Sequence, residues 1–366
     1  MGEHTDYNEG FVLPFALAQG VTATAKARPD GLLVLRSKQV PDEPVTVALE
    51  ALAPGAVTGW AAYPAGVAWA LRSSGLDVAG ASIDIDSDLP VGAGVSSSAA
   101  LECSVALALC SLSGVSVDRP ALAAIAKRAE NEFVGAPTGI IDQSAALLCR
   151  KGHAMLLDCA TREITHVPFH PGGVGVAAVV IDTRVTHALV SGDYAMRRIE
   201  CEEAARRLRV RALGSVTDLG RLYEIDDPVL RRRARHVITD TERARAIAFA
   251  LAAEQAGEEE TAKPPRVDAE TYRHIGTLLT DAHVSLRDDF EVSWTEADVT
   301  VDVAIAAGGY GARMIGGGFG GSVLALVPLD RLAQVRTAIT ETFARRGWTP
   351  PEFLDAVPSA AARQLA

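Results

Sequence analysis

The chain has 366 residues, 48% of them hydrophobic, so it can bury a sizeable core, and its length points to about two domains. With 35 basic against 46 acidic side chains the formal net charge is −11, and no basic stripe is present to neutralise a phosphate backbone, which argues against a nucleic-acid partner. The start from Gly2 to Asp6 has neither the positive nor the apolar region of a secretory signal, and no apolar stretch approaches the ~18–20 residues of a membrane span, so a cytoplasmic protein with no membrane attachment is expected.

The first informative segment is polar: Glu3, His4, Thr5, Asp6, Tyr7 and Asn8 precede Gly10, where the chain turns into the apolar run Phe11 to Phe15. Carboxylates beside an imidazole suit a sugar, whose hydroxyls each donate and accept; a solvated turn is the alternative. From Ala81 to Asp86, Ile83 and Ile85 alternate with Asp84 and Asp86, the period of a strand. A small-residue stretch follows, Pro90, Val91, Gly92, Ala93, Gly94, Val95, Ser96, Ser97, Ser98 and Ala99, and then an Ala/Leu run to Leu112 that reads as a helix. Such a strand-to-helix turn can hold a polyphosphate, because glycines admit it to the backbone and free N–H groups with the helix dipole favour its charge. The stretch matches neither a Walker A loop nor G-x-G-x-x-G, so a serine-capped turn remains open at this stage.

Residues 121–132 read as a second helix carrying Glu130 and Glu132, and after Gly135 and Pro137 a third begins near Thr138. It puts Asp142 in its first turn, where the carboxylate could deprotonate an attacking hydroxyl or merely complement the dipole. Val174 to Ile181 reads as a strand, with a domain boundary near 165–172. A charged helix at 193–209 leads through polar helices to an exposed loop at 255–265, then helices at 268–286 and 296–307. Gly316, Gly317, Gly318, Gly320 and Gly321 precede an apolar strand, Val323 to Val327, and a closing helix, 330–345. So many glycines suit backbone crowding another backbone or a phosphate, or a plain hairpin. Cys103, Cys110, Cys149, Cys159 and Cys201 are odd in number with no C-x-x-C pair, which favours buried free thiols over a disulfide scaffold or a zinc site.

In this order and spacing, Gly2 to Asn8, Pro90 to Leu101 and Gly316 to Gly321 resemble the three motifs of galactokinases in the GHMP kinase superfamily. The first motif is specific to sugar-binding members; the other two are shared across the superfamily. The resemblance spans nearly the whole chain and implies an α+β architecture of two domains. Residues 1–168 would form a sugar- and ATP-binding domain like domain 2 of ribosomal protein S5, and residues 169–366 a ferredoxin-like GHMP kinase domain, with ATP and sugar meeting between them. The family pattern carries a Pro-Gly-Arg-Val-Asn-Leu-Ile stretch before the first motif, with the first strands of the N-terminal sheet and an arginine that pairs with the catalytic aspartate. The printed chain opens after it, so either a longer native protein or a truncated, weakened one is expected, the former favoured. Thr138 also stands where a cysteine is usual and Val95 where a leucine is usual.

What the resemblance implies for the site is specific. Glu3, His4 and Asp6 would hydrogen-bond galactose, helped by Gly139 and Tyr194, and Asp142 would be the catalytic carboxylate. Pro90, Gly92, Ala93, Gly94, Val95, Ser96, Ser97, Ser98 and Ala99 would bind ATP, with Mg²⁺ on Ser97 or Ser98 and Glu130. The expected reaction is phosphorylation of the C1 hydroxyl by MgATP, serving galactose catabolism by the Leloir pathway, in a protein taken to be a monomer. Two alternatives are an N-acetylgalactosamine or arabinose kinase and a galactose- and ATP-binding regulator without turnover; the intact run Ser96 to Ala100 favours an enzyme. Trp60 lies in a plausible region for the unassigned adenine pocket.

Overall fold

The computed structural model describes residues 1–89, 94–186, 192–252 and 267–365; Pro90, Gly92, Ala93 and the whole 255–265 loop lie outside the described residues. In chain order the strands are Phe11–Val12 (β1), Val21–Arg28 (β2), Leu32–Ser37 (β3), Val40–Ala48 (β4), Gly80–Ser87 (β5), His153–Asp158 (β6), Ile164–Pro168 (β7), Val176–Val185 (β8), Gly311–Ile315 (β9), Gly321–Pro328 (β10) and Glu352–Asp355 (β11). The α-helices are Ala62–Ser73 (α1), Ser97–Leu112 (α2), Arg119–Arg128 (α3), Ile141–Leu148 (α4), Gly192–Arg207 (α5), Pro228–Ala252 (α6), Ala269–Asp288 (α7), Thr295–Ala306 (α8) and Leu332–Arg346 (α9).

These elements build two compact units. One contains residues 16–89, 96–149 and 360–365, around a mixed sheet of order β2-β5-β3-β4 in which β3 runs parallel to β5. The period-two expectation holds in β5: Ile83 and Ile85 are buried in the core with Leu33, Leu35 and Leu109, whereas Asp84 and Asp86 pair with Arg36 and Lys38 outside it. Helix α2 packs on β2 and α1, and its apolar side chains complete that core. The expected helix at 121–132 is interrupted. After Arg128 the chain widens into a π-turn, Ala129–Val134, closed by Gly135 at φ 87°, and the amides of Gly135 and Ala136 both donate to the Glu130 carbonyl at 3.0 Å. Helix α4 starts at Ile141, later than Thr138, because Asn131 Nδ2 ties the intervening loop to Ala136 O (2.7 Å) and Thr138 Oγ1 (3.0 Å).

The other unit contains residues 1–15, 94–95 and the described part of 150–359, with an antiparallel sheet β11-β8-β10-β9 and a smaller sheet β1-β6-β7. These units do not follow the 168/169 boundary. Phe11 and Val12 pair with Asp158 and Leu157 of β6, and Met155 N donates to Pro14 O at 2.8 Å, so both the polar start and residues 150–168 fold with the later sequence. Two strand-rich regions were not expected from the sequence, β2 to β4 and the β6–β7 hairpin, and β11 adds an unexpected edge to the larger sheet. The elements expected at 268–286, 296–307 and 330–345 appear as α7, α8 and α9.

Helix α7 lies on β9 backbone to backbone. A Cβ on Gly276 would come 2.5 Å from the Tyr310 carbonyl oxygen, and one on Gly311 would collide with the Gly276 carbonyl. Rigid backbone on both sides cannot yield, so Gly276→Ala is expected to lower stability by about 1–3 kcal/mol or more, read from the midpoint of denaturant unfolding; an unchanged midpoint would show that α7 can slide.

Candidate active site

The polar start is not a solvated turn. His4, Thr5, Asp6 and Asn8 are all buried, around a short 3₁₀ turn, Asp6–Asn8. His4 takes φ 65°, a left-handed conformation rare for a side-chain-bearing residue, and the surrounding bonds impose it. Thr5 Oγ1 donates to Gly2 O (2.8 Å) and can reach Phe11 O (2.9 Å), and Asn8 Nδ2 donates to His4 O at 2.8 Å. Glu3 is gripped by Arg313, which is fully buried on β9, and Arg313 reaches Asp240 of α6 at 3.6 Å. Gly2 N donates to Asp240 Oδ2 at 3.0 Å, and His236 Nε2 lies 3.1 Å from Glu3 O. His236 and Asp240 stand one helical turn apart, so α6 offers both to the same segment.

Both ring nitrogens of His4 are engaged: Nε2 with Gly317 O at 3.2 Å and Nδ1 with the Tyr7 hydroxyl at 2.9 Å. A carbonyl only accepts, so Nε2 carries the proton and Nδ1 accepts from Tyr7. Burial pushes His4 down to about 3, helped by the charge of His236, which keeps the ring neutral and this tautomer in place. Tyr194 of α5 stacks toward the ring at 5.0 Å and meets Tyr7 at 5.9 Å, so the structure brings this expected site residue to the polar segment.

The glycine run is a hairpin and also a site of crowding, so the two sequence readings both hold. It turns β9 into β10, with Gly316, Gly318 and Gly320 at φ 83°, 86° and 143°. A Cβ on Gly316 would lie 3.1 Å from Gly94 O, one on Gly94 3.2 Å from Gly321 Cα, and one on Gly318 2.5 Å from Val292 O. The described end of the serine stretch then enters α2. Ser96 sits at φ 60°, and its side chain makes no capping bond to the first turn of α2. Ser97 is exposed, Ser98 half-buried, and Ala99 buried beneath them.

A third cluster joins α2, the π-turn and α4. Glu130 Oε2 accepts from Thr138 Oγ1 (2.6 Å) and Gln143 Nε2 (2.7 Å), and Gln143 Nε2 also donates to Glu102 Oε2 at 3.1 Å. Asp142 occupies the first turn of α4, directly before Gln143. The chemistry of the donor set, hydroxyl and carboxylate oxygens, fits Mg²⁺, with the Glu130 carboxylate oriented by the two donors on its Oε2. Among the described residues no group of three His, Cys, Asp or Glu gathers as a protein-only metal cage.

Comparison with known proteins gives these clusters a common context. Residues 1–27 match the galactokinase galactose-binding signature, 62–150 the GHMP kinases N terminal domain and 267–345 the GHMP kinases C terminal domain. A galactokinase of Streptomyces coelicolor is 43% identical over 369 residues, covering 100% of this chain and 91% of that one. The chain belongs to the galactokinase family of GHMP kinases. A Mycobacterium tuberculosis galactokinase is 41% identical, over 96% of this chain and 92% of that protein. Among solved structures, Lactococcus lactis galactokinase complexed with galactose superposes with a TM-score of 0.91 at 30% identity, covering 100% of this chain and 92% of that one. Methanococcus jannaschii mevalonate kinase shares the fold alone, with a TM-score of 0.63 at 15% identity over 98% and 94%.

Sequence reasoning missed Arg313, Asp240, His236, Glu102 and Gln143 in this galactokinase-family chain. The signals were an arginine inside the apolar strand Gly311–Ile315, the four-residue spacing of His236 and Asp240, and a glutamate in the Ala/Leu run of α2. Burial pushes Glu102 up from 4.5 to about 10, with the charge of Glu130 adding to it and the bond from Gln143 opposing it. The folded protein therefore holds a proton there that the unfolded chain releases above about 4.5, so this group lowers stability progressively as pH rises toward 10. Glu102→Gln, which cannot titrate, is expected to gain on the native chain by up to about 1 kcal/mol per pH unit between about pH 5 and pH 8. Chemical denaturation at a series of pH values checks this; parallel stability curves would mean that Glu102 is ionised in the fold.

Proposed function

We propose that this chain transfers the γ-phosphoryl group of ATP to the C1 hydroxyl of galactose, giving galactose 1-phosphate and ADP. The observation that carries the proposal is the burial of the galactose-binding signature residues in a single hydrogen-bonded arrangement, in a chain that superposes closely on a galactokinase complexed with galactose. Glu3, His4 and Asp6 bind sugar hydroxyls, and Gly139 and Tyr194 are further sugar-binding residues; His4 exchanges its bond to Tyr7 or Gly317 for a sugar hydroxyl. The stretch from Pro90 to Ala99 cradles the ATP phosphates, and the Gly316–Gly320 hairpin supports it.

In the reaction the C1 oxygen attacks the γ-phosphorus, the bond to the bridging oxygen of ADP breaks with its electron pair on ADP, and the hydroxyl proton passes to Asp142. Positioning and charge neutralisation supply most of the rate in such transfers. Ser97, Ser98 and Glu130 would hold Mg²⁺, which neutralises phosphate charge when bound. No helix among the described residues is long and apolar enough to cross a membrane, and we take the enzyme to act in the cytoplasm as a monomer.

Asp142→Asn is expected to reduce kcat by about 10²- to 10⁴-fold while galactose affinity, measured by calorimetry, changes less than about twofold. Near-normal turnover would remove Asp142 from the chemistry. A coupled ADP-release assay with galactose, glucose, N-acetylgalactosamine and arabinose sets the substrate: fastest kcat/KM is expected with galactose. A higher value for another sugar would reassign it, and sugar binding without ADP release would turn the reading to a non-catalytic regulator.

A further inference from the structure

Glu102 is the most unusual group in the unit that holds Asp142. Its side chain has no exposure at all, yet it sits on α2 amid Cys103, Val105 and Ala106, where the core would accept an apolar residue. Its Oε1 and the Oε1 of Gln143 are buried without a hydrogen-bond partner among the described residues. A carboxyl group so placed costs stability, since each unmet buried acceptor forfeits its hydration. Among the described residues the Glu102 side chain accepts from Gln143 Nε2, and the same nitrogen donates to Glu130 Oε2. Gln143 is itself fully buried, and its neighbour in sequence is Asp142.

We propose that Glu102 is a positioning residue for the phosphoryl transfer: through Gln143 it fixes the carboxylate of Glu130 for the metal and sets the first turn of α4 that carries Asp142. This rests on the reading of Glu130 as a ligand of Mg²⁺. Thr138 Oγ1 and Gln143 Nε2 both donate to Glu130 Oε2, which restricts how the carboxylate can turn. Gln143 alone could swing about its side-chain torsions; the bond to Glu102 holds its amide at both ends of the cluster. Partners of this kind change metal affinity or activity by about 10- to 100-fold when removed.

The test compares Glu102→Met, Glu102→Gln and Glu130→Gln. Thermal unfolding is read in the absence of ligand, and Mn²⁺ affinity by electron paramagnetic resonance in the presence of ADP, alongside the Mg²⁺ dependence of kcat. E102M is expected to be at least as stable as the native chain, because it removes a buried polar group, yet to bind Mn²⁺ about 10- to 100-fold more weakly. E102Q, whose amide oxygen still accepts from Gln143, is expected to stay within about threefold of native. A side chain with a purely structural role would show the opposite pattern, loss of stability with unchanged metal affinity. Should E102M not fold, Q143M cuts the same link from its other end and carries the same expected loss. Native Mn²⁺ affinity in E102M or Q143M, with E130Q impaired, overturns the proposal; native affinity in E130Q overturns the ligand reading itself and the proposal with it.

Discussion

At Gly316 and Gly318 the hairpin between β9 and β10 passes so close to other backbone that a side chain would be crowded, and several parts of one unit depend on that. On one side the hairpin meets Gly94 at distances that would crowd a Cβ on either partner. On another, Gly317 offers its carbonyl to His4, and Phe319 N donates to Val292 O at 2.8 Å. A side chain at Gly316 or Gly318 would also be strained by its positive φ. Glycine-rich hairpins are entropically expensive, so this one is stable only because β9 and β10 pair along their length on either side of it. The same turn thereby meets both Gly94 and the ring of His4, and a shift in it would be felt by both.

The polar start obeys a different constraint. Charges taken out of water must be paired, and here the pairing runs Glu3 to Arg313 to Asp240, with the Gly2 amide on Asp240 and His236 on the Glu3 carbonyl. Removing one member of such a set leaves its partner buried and alone, which typically costs about 3–5 kcal/mol, so the members constrain one another. The neutrality of His4 belongs to the same logic. A protonated ring would place a further cation beside Arg313 and His236 and would lose its acceptor for the Tyr7 hydroxyl, whereas the neutral tautomer satisfies both neighbours.

Much of this was legible in the sequence where local pattern and tertiary role coincide. The alternation from Ala81 to Asp86 matched β5 because one face is buried and the other wet, and the three motifs located the segments that matter because their composition is abnormal for plain structure. Most of the rest was hidden for physical reasons. Strand β2 exposes Thr22, Thr24 and Lys26 and gives little apolar signal, whereas the apolar run Leu32 to Leu35 of β3 was readable and was passed over. The division of the chain depends on β1 pairing with β6 across more than a hundred residues, which no local pattern encodes. Arg313 and Glu102 were invisible because each contradicts its own neighbourhood: a cation in an apolar strand and an acid in an apolar helix are tolerated only through partners far along the chain.

Those two contradictions point the same way. Local rules are broken in a fold only where something else holds the residue in place, and in both cases what is held is a polar group beside a motif. Arg313 grips Glu3 of the galactose-binding signature. Glu102 reaches Glu130 through Gln143, while the π-turn directs two amides onto the Glu130 carbonyl, so that this residue is held at both its backbone and its side chain. Phosphoryl transfer asks little of a protein in covalent chemistry and much in placement, since the donor already carries a good leaving group. A chain that spends buried charge and irregular backbone on placing carboxylates is organised for that kind of reaction.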